Sequence, residues 1–293
     1  MRRTADTTWL LGLLMVVTGV PAAGAGCSRR PEAGASPAPR PAPDAAAETA
    51  TGATDAAVLV PPAPSGWAPG RQFRAPPPTE VASVPASPGF NMLRNPRFEQ
   101  GTEPWWYFPD RPTWGGFTAQ AGPGRGQDRA ARLELRVDAD HAPPYRTHIR
   151  GIIQDLHTPV VPSRVGGTYY VERWQRGAVD QYLQFVVICA AAEMSFGPVA
   201  NRQIRYLLAG IEHPPFDISN AHFVYLTRVE PVVGQWVSFE RDLRQDFLEQ
   251  WGSVPERVQS VRVLFEVRYD NMDLARPSPL HAVVYFDDLY LGT

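Results

Sequence analysis

Six histidines are scattered through the chain, at 141, 148, 157, 213, 222 and 281, and no two of them form an H-x-x-x-H zinc pair. No Gly-x-Ser-x-Gly elbow presents a nucleophilic serine. Carboxylates are plentiful, so Glu172 and Glu266 can be set out as an acid and base for glycosidic hydrolysis. The separation of such a pair decides its chemistry, and sequence does not give that distance. His148 and Tyr145 have the residue types for proton abstraction in a lyase reaction, although surface and turn residues look the same. Gly122-Pro123-Gly124-Arg125-Gly126 lacks the strand–helix setting and the lysine of a phosphate loop, and reads as a turn. The two cysteines, Cys27 and Cys189, fit neither a disulfide framework nor a zinc site. Cys189 closes the apolar run Phe185–Cys189, where a buried thiol is the plain reading. No residue set therefore reads as catalytic. The densest aromatic patch is Trp105-Trp106-Tyr107-Phe108 with Trp114, which serves either as a stacking platform or as a seal over the end of a core.

The elements that position these residues begin late in the chain. Of 293 residues, 31 are Pro, and these crowd with Ala into the first ninety, while aromatic and β-branched residues crowd the remainder. A formal net charge of -2 with interspersed signs gives no basic face for nucleic acid or an acidic membrane surface. All 28 basic residues are arginine. At the N-terminus, Arg2 and Arg3 precede an apolar stretch from Trp9 to Val20, too short to span a bilayer, which needs about 20 residues. Ala22-Ala23-Gly24-Ala25-Gly26 then leads into Cys27, which resembles the lipobox of bacterial lipoproteins apart from Gly24, where that family usually carries Leu. The resemblance implies a signal peptide over 1–26, lipidation of Cys27, and a lipid anchor as the only membrane contact. Ser28 then implies sorting to the outer membrane. Ordinary cleavage near Ala23-Gly24-Ala25 and secretion is the alternative. Residues 27–88 read as a disordered Pro/Ala-rich tether with a span of about 45 Å, in which Trp67, Phe73 and Val81 are apolar spots able to dock on a domain.

From residue 89 the pattern changes to period two. Ala131–Val137 and Val261–Tyr269 alternate apolar and charged side chains, as half-buried strands do. Further strands are expected over 147–156, 168–176, 181–190, 222–230, 235–241 and 282–291. Asp242 with Gln245 makes a capping box, Leu243, Phe247 and Trp251 recur on one face, and Gly252 with Pro255 stops the turn, which predicts one short helix over 242–252. The sum is an all-β sandwich over 89–293.

Three stretches of this domain resemble carbohydrate-binding modules of the galactose-binding-like jelly-roll group. They are Asn91–Gly101 followed by Trp105-Trp106, then Gly234–Leu243, and finally Val284–Leu291 with its paired aspartates. The resemblance implies a jelly roll whose first and last strands lie together and hold a structural calcium through Glu99, Asp287 and Asp288. The competing account of the aspartates is that they point to opposite faces and accept turn amides. It also implies a glycan partner bound along one sheet face. Alternation selects Glu172, Trp174, Gln184, Glu266 and Arg268 for that groove, with Trp106 as a stacking ring; an ordinary solvated face with ion pairs is the alternative. On this reading the chain is a freestanding tethered binder. A structural or protein-interaction lipoprotein, and a polysaccharide hydrolase or lyase, stand behind it.

Overall fold

The computed structural model describes residues 75–81, 89–195 and 197–293. The signal-peptide boundary, Cys27 and most of the tether lie outside the described residues. The strands are β1 (Thr79–Glu80), β2 (Trp114–Gly115), β3 (Thr118–Ala121), β4 (Arg129–Val137), β5 (His148–His157), β6 (Arg164–Gln175), β7 (Asp180–Met194), β8 (Gly197–Ala209), β9 (Ala221–Tyr225), β10 (Trp236–Asp242), β11 (Ser260–Asp270) and β12 (Leu280–Gly292). The α-helix α1 (Leu243–Trp251) follows β10. One sheet has seven strands, in the order β1-β5-β11-β7-β8-β9, with β2 also on β5. The other has five, in the order β10-β6-β12-β4-β3. From β4 to β12 the chain changes sheet at most connections, the wrapping of a jelly-roll sandwich.

Alternation builds the interior. Leu133 and Leu135 of β4, Val171 of β6, Val263 and Val267 of β11 and Val284 of β12 are all buried in one core. At its centre, Phe185 and Phe265 from the larger sheet meet Phe239 and Phe286 from the smaller. Ring centroids are 4.9 Å apart for Phe185–Phe239 and 5.5 Å for Phe265–Phe286. Such pairs each add about 0.5–1.5 kcal/mol beyond area burial. Asp242 caps α1 by accepting the Gln245 amide at 2.9 Å, and Gly252 ends it in the left-handed region at φ 74°, which glycine adopts without a Cβ penalty. Leu243 and Phe247 of the helix are buried against the core. Asp246 holds it there, accepting from Tyr206 at 2.8 Å and from Arg241 Nε at 3.0 Å.

The domain's two ends meet. The Met92 amide donates to the Leu291 carbonyl at 2.8 Å, and Asn91 Nδ2 donates to Leu289 at 2.8 Å. Val81, in the stretch read as tether, is buried, and β1 pairs in parallel with the end of β5. With β2 and a bridge at Trp106, this covers the outer edge of β5, an edge that would otherwise invite pairing with another chain. The strand expected over 222–230 ends at Tyr225, and β8, like the short β1, β2 and β3, corresponds to none of the expected strands.

Candidate functional site

The register of the larger sheet places its outward side chains in rows. One row runs Gly151, Glu266, Gln184, Leu207 across β5, β11, β7 and β8. The next runs Ile153, Leu264, Val186, Arg205, Phe223 and ends on β9. A third joins Ile149, Arg268 and Tyr182. With strands about 4.8 Å apart, the second row is roughly 19 Å long from β5 to β9.

The centre of the face is polar and yet deeply buried. Glu266 is 2% exposed, Gln184 0%, Arg268 5% and Arg205 6%. Arg268 grips Asp270 with Nε at 2.9 Å and Nη2 at 2.7 Å, and stands 3.6 Å from Glu266. Asp270 also accepts from Tyr182 at 2.5 Å and Thr147 at 2.8 Å. Gln184 Nε2 donates to Glu266. Burial acts to lower the Arg268 pKa, but Asp270, Tyr182 and Glu266 outweigh it and hold it above the ordinary arginine value. Burial alone would raise Asp270; Arg268, Tyr182 and Thr147 keep it below the usual carboxylate range. At this centre Gln184 Oε1 and Arg205 Nε are buried and meet no hydrogen-bond partner among the described residues. Burying a polar atom unpaired costs about 1–3 kcal/mol, so such atoms mark strain or a place where something else bonds.

Aromatic side chains wall this polar centre. On the β5 side, Trp106, Phe108 and Trp114 stack edge-to-face at 4.8 and 5.0 Å and cover Ile149, Ile153, Val186 and Leu264. Gly151 admits them: a Cβ there would stand 3.1 Å from Trp114 and 3.1 Å from Glu266, so the indole lies against bare backbone beside the carboxylate. On the β9 side, Phe223 and Tyr225 pack with Tyr182, Leu207 and Ile211. Phe216 lies edge-on to Phe223 and 5.3 Å from both Arg205 and Arg268.

The structure brings together Gln184, Glu266 and Arg268, with Trp106 on their flank. It separates Glu172 and Trp174 from them: both belong to β6, in the other sheet. Those two also part from each other, because the β6–β12 register shifts between Val283 and Val284, where Val284 faces Val171 and Val283 faces Arg173. Glu172 occupies the bulge and accepts the Tyr285 hydroxyl at 2.8 Å on the smaller sheet's outer face. Past the bulge Trp174 turns to the core side, where it packs and donates its indole N–H to Glu230. Glu172 and Glu266 therefore point outward from opposite sides of a sandwich about 10 Å thick. That exceeds the ~5–9.5 Å over which a glycosidase pair works. Among the described residues no hydrogen bond joins His148 to Tyr145: His148 Nε2 lies 2.6 Å from Arg150, and the Tyr145 carbonyl accepts from the Tyr269 hydroxyl at 3.4 Å. The adjacent tryptophans divide their work: Trp105 seals the core against Phe98 and Phe265, while Trp106 faces the outer surface. Arg205, Asp270 and Phe216 were not picked out from sequence.

Glu99, Asp287 and Asp288 do lie near one another, but their oxygens meet guanidinium groups. The register shift after Asp287 and a left-handed Asp288, φ 50°, turn both aspartates to one side, so they do not alternate as strand neighbours would. Arg125 Nη1 donates to Asp287 Oδ2 and to Asp288 Oδ2, each at 2.6 Å, while Nη2 reaches Thr168 at 3.2 Å. The guanidinium also lies 3.9 Å over the Trp236 ring. Arg97 sits 3.1 Å from Asp288 and 3.3 Å from Glu99. Among the described residues, no group of three or more His, Cys, Asp or Glu is arranged to hold a metal. The residues present do not fit a calcium ion, since the oxygens that would ligate it already face positive charge.

Neither the protein-family models nor the curated proteins contain a match to this chain. Similar solved structures include TmCBM61 in complex with beta-1,4-galactotriose, with 13% identity and a TM-score of 0.37, covering 69% of this chain and 98% of that one. Another is a family 16 carbohydrate-binding module, with 13% identity and a TM-score of 0.35, covering 69% and 100%. A third is the enzymatically active domain of bacteriophage CBA120 tailspike protein 4, with 11% identity and a TM-score of 0.31, covering 69% of this chain and 22% of that one.

Proposed function

We propose that this protein is a non-catalytic, lipid-anchored envelope protein whose sandwich binds a glycan across the outer face of the seven-stranded sheet. One observation carries the reading: Gln184 Oε1 and Arg205 Nε are buried without partners between two aromatic walls. A pyranose offers hydroxyls to such polar atoms and apolar CH faces to such rings, and binding sites characteristically combine a few placed polar groups with apolar lining. The sequence resemblance to carbohydrate-binding modules points the same way. Anchoring at Cys27, with the outer membrane as destination, rests on the small residues before that cysteine and on Ser28. A second reading, a structural or protein-interaction lipoprotein, draws on how little of Glu266 and Gln184 reaches solvent.

The test is an oligosaccharide array probed with the full chain, followed by calorimetric titration of the retained sugars. Gln184→Met, which removes the unpartnered acceptor, is expected to weaken binding up to about tenfold, the scale of one hydrogen bond. Glu172→Gln, on the opposite sheet, leaves it unchanged. Retention of no glycan by a folded protein would favour the second reading. Anchoring is checked separately, by metabolic labelling with an alkyne fatty acid, which Cys27→Ala is expected to abolish.

A further inference from the structure

Resting on the reading of this face as a glycan site, we infer that the glycan it takes is acidic, and that Arg205 reads a uronate carboxylate. The other charged groups on the face already have contact partners. Arg268 is engaged by Asp270 and stands beside Glu266; Asp270 is held by Arg268, Tyr182 and Thr147; Glu266 accepts from Gln184. Arg205 is different. Among the described residues it makes no ion pair, and its side-chain hydrogen bond is a single one, from Nη2 to Gln203 Oε1 at 3.1 Å. It is nonetheless 6% exposed, and its Nε has no partner.

A guanidinium withdrawn from water with no carboxylate in contact is costly. The Phe216 ring 5.3 Å away offers a π face and no negative charge. Burial, and then repulsion from Arg268, pull the Arg205 pKa below the ordinary value and outweigh the attraction of Glu266, Tyr182 and Asp270, none of which touches it. A sugar hydroxyl would satisfy Nε and leave the guanidinium without a carboxylate contact. A planar carboxylate satisfies both, because its two oxygens match two N–H groups of the guanidinium fork. Gln184 Oε1, on the neighbouring strand β7, is the acceptor left for a hydroxyl of the same saccharide.

The experiment titrates the full chain with three matched probes by calorimetry. These are a galacturonate tetrasaccharide, its fully methyl-esterified form, and a sulfated galactose tetrasaccharide without carboxylates. The expected result is that esterification weakens binding by roughly 10- to 100-fold, the range of a charge-assisted bond lost at a buried site. The sulfated probe should bind less well than the uronate. Arg205→Gln should abolish the preference for the free acid, and Arg205→Lys, which keeps the charge but not the fork, should restore it only in part. Thermal melts of both variants separate loss of binding from loss of fold. Equal affinity for free and esterified forms, or a preference that survives in folded Arg205→Gln, overturns the assignment. A sulfated probe that equals the uronate overturns the carboxylate in favour of a general anion. Failure of the protein to bind any glycan, neutral or acidic, overturns the glycan reading itself, whereas neutral binding alone overturns only the acidic one.

Discussion

Removing Arg125 is expected to destabilise the domain strongly, because that side chain supplies the positive charge held between Asp287 and Asp288 of β12 and Thr168 of β6. In Arg125→Ala, Asp287, whose side chain is 1% exposed, would keep only the Asp288 amide at 2.8 Å. Breaking a buried pair by deleting one partner costs about 3–5 kcal/mol. The lower end applies, since the Arg125 side chain is 21% exposed and Asp288 retains Arg97. For a domain of this size each kcal/mol shifts Tm by about 2–4 °C, so a fall of roughly 6–12 °C is expected. Differential scanning calorimetry of the full chain measures it. The pH dependence sharpens the test. Burial pushes the Asp287 pKa up to about 6, with the charge of Asp288 adding to it and the Asp288 amide and Arg125 opposing. A carboxyl whose folded pKa is raised favours the folded state when protonated, so its stabilising effect is present at low pH and lost as pH rises through about 6. The deficit of Arg125→Ala should therefore shrink between pH 7.5 and 5. Calcium and chelator should leave the unsubstituted protein's Tm unchanged. A variant melting within 2 °C of the parent, a deficit constant with pH, or a calcium-induced rise in the parent would each refute the reasoning.

Two further outcomes follow from buried polar groups elsewhere. Burial, and then Arg150, lower the His148 pKa from 6.5 to about 4, so the stability its neutral form supports is lost as pH falls below 6.5; urea denaturation from pH 7.5 to 4.5 should show His148→Asn losing about 2 kcal/mol less than the parent, after allowance for partial exposure. Asp246→Asn should lower the urea midpoint by the equivalent of about 2 kcal/mol, and Tyr206→Phe by about 1, because together with Arg241 they latch α1 to the sheet.

The sandwich was legible because its signal is local. Ala131–Val137 and Val261–Tyr269 declare their buried face at every second residue, and Asp242 with Gly252 punctuates the helix, so neither reading needed distant information. β8 was harder. Gln203-Ile204-Arg205-Tyr206 does alternate, with Ile204 and Tyr206 in the core, but Leu207-Leu208-Ala209 is buried on both faces and masks the period. That missed strand carried Arg205 with it. Val81 was readable as a spot able to dock, but the strand before it was hidden by its proline-rich setting and forms only because β5 presents an edge beside it.

The site was legible in part, and the reason is a matter of range. Alternation tells which residues of one strand share a side, and it held for Gln184 on β7 and for Glu266 with Arg268 on β11. Their union depends on β7 and β11 being neighbours, which pairing decides and alternation does not. The same inference failed for Glu172 and Trp174 in two ways: β6 lies in the other sheet, and one extra residue at the bulge reverses the parity of everything beyond it. Asp287 and Asp288 fail as alternating neighbours for a kindred reason, since the left-handed turn at Asp288 brings both carboxylates to one guanidinium. A residue that breaks the period is thus where this sequence is least readable. Glu172 and Asp288 both sit at such breaks, and at each the outward-facing chemistry is set by the pairing partner across the sheet, not by the residue's own neighbours in the chain.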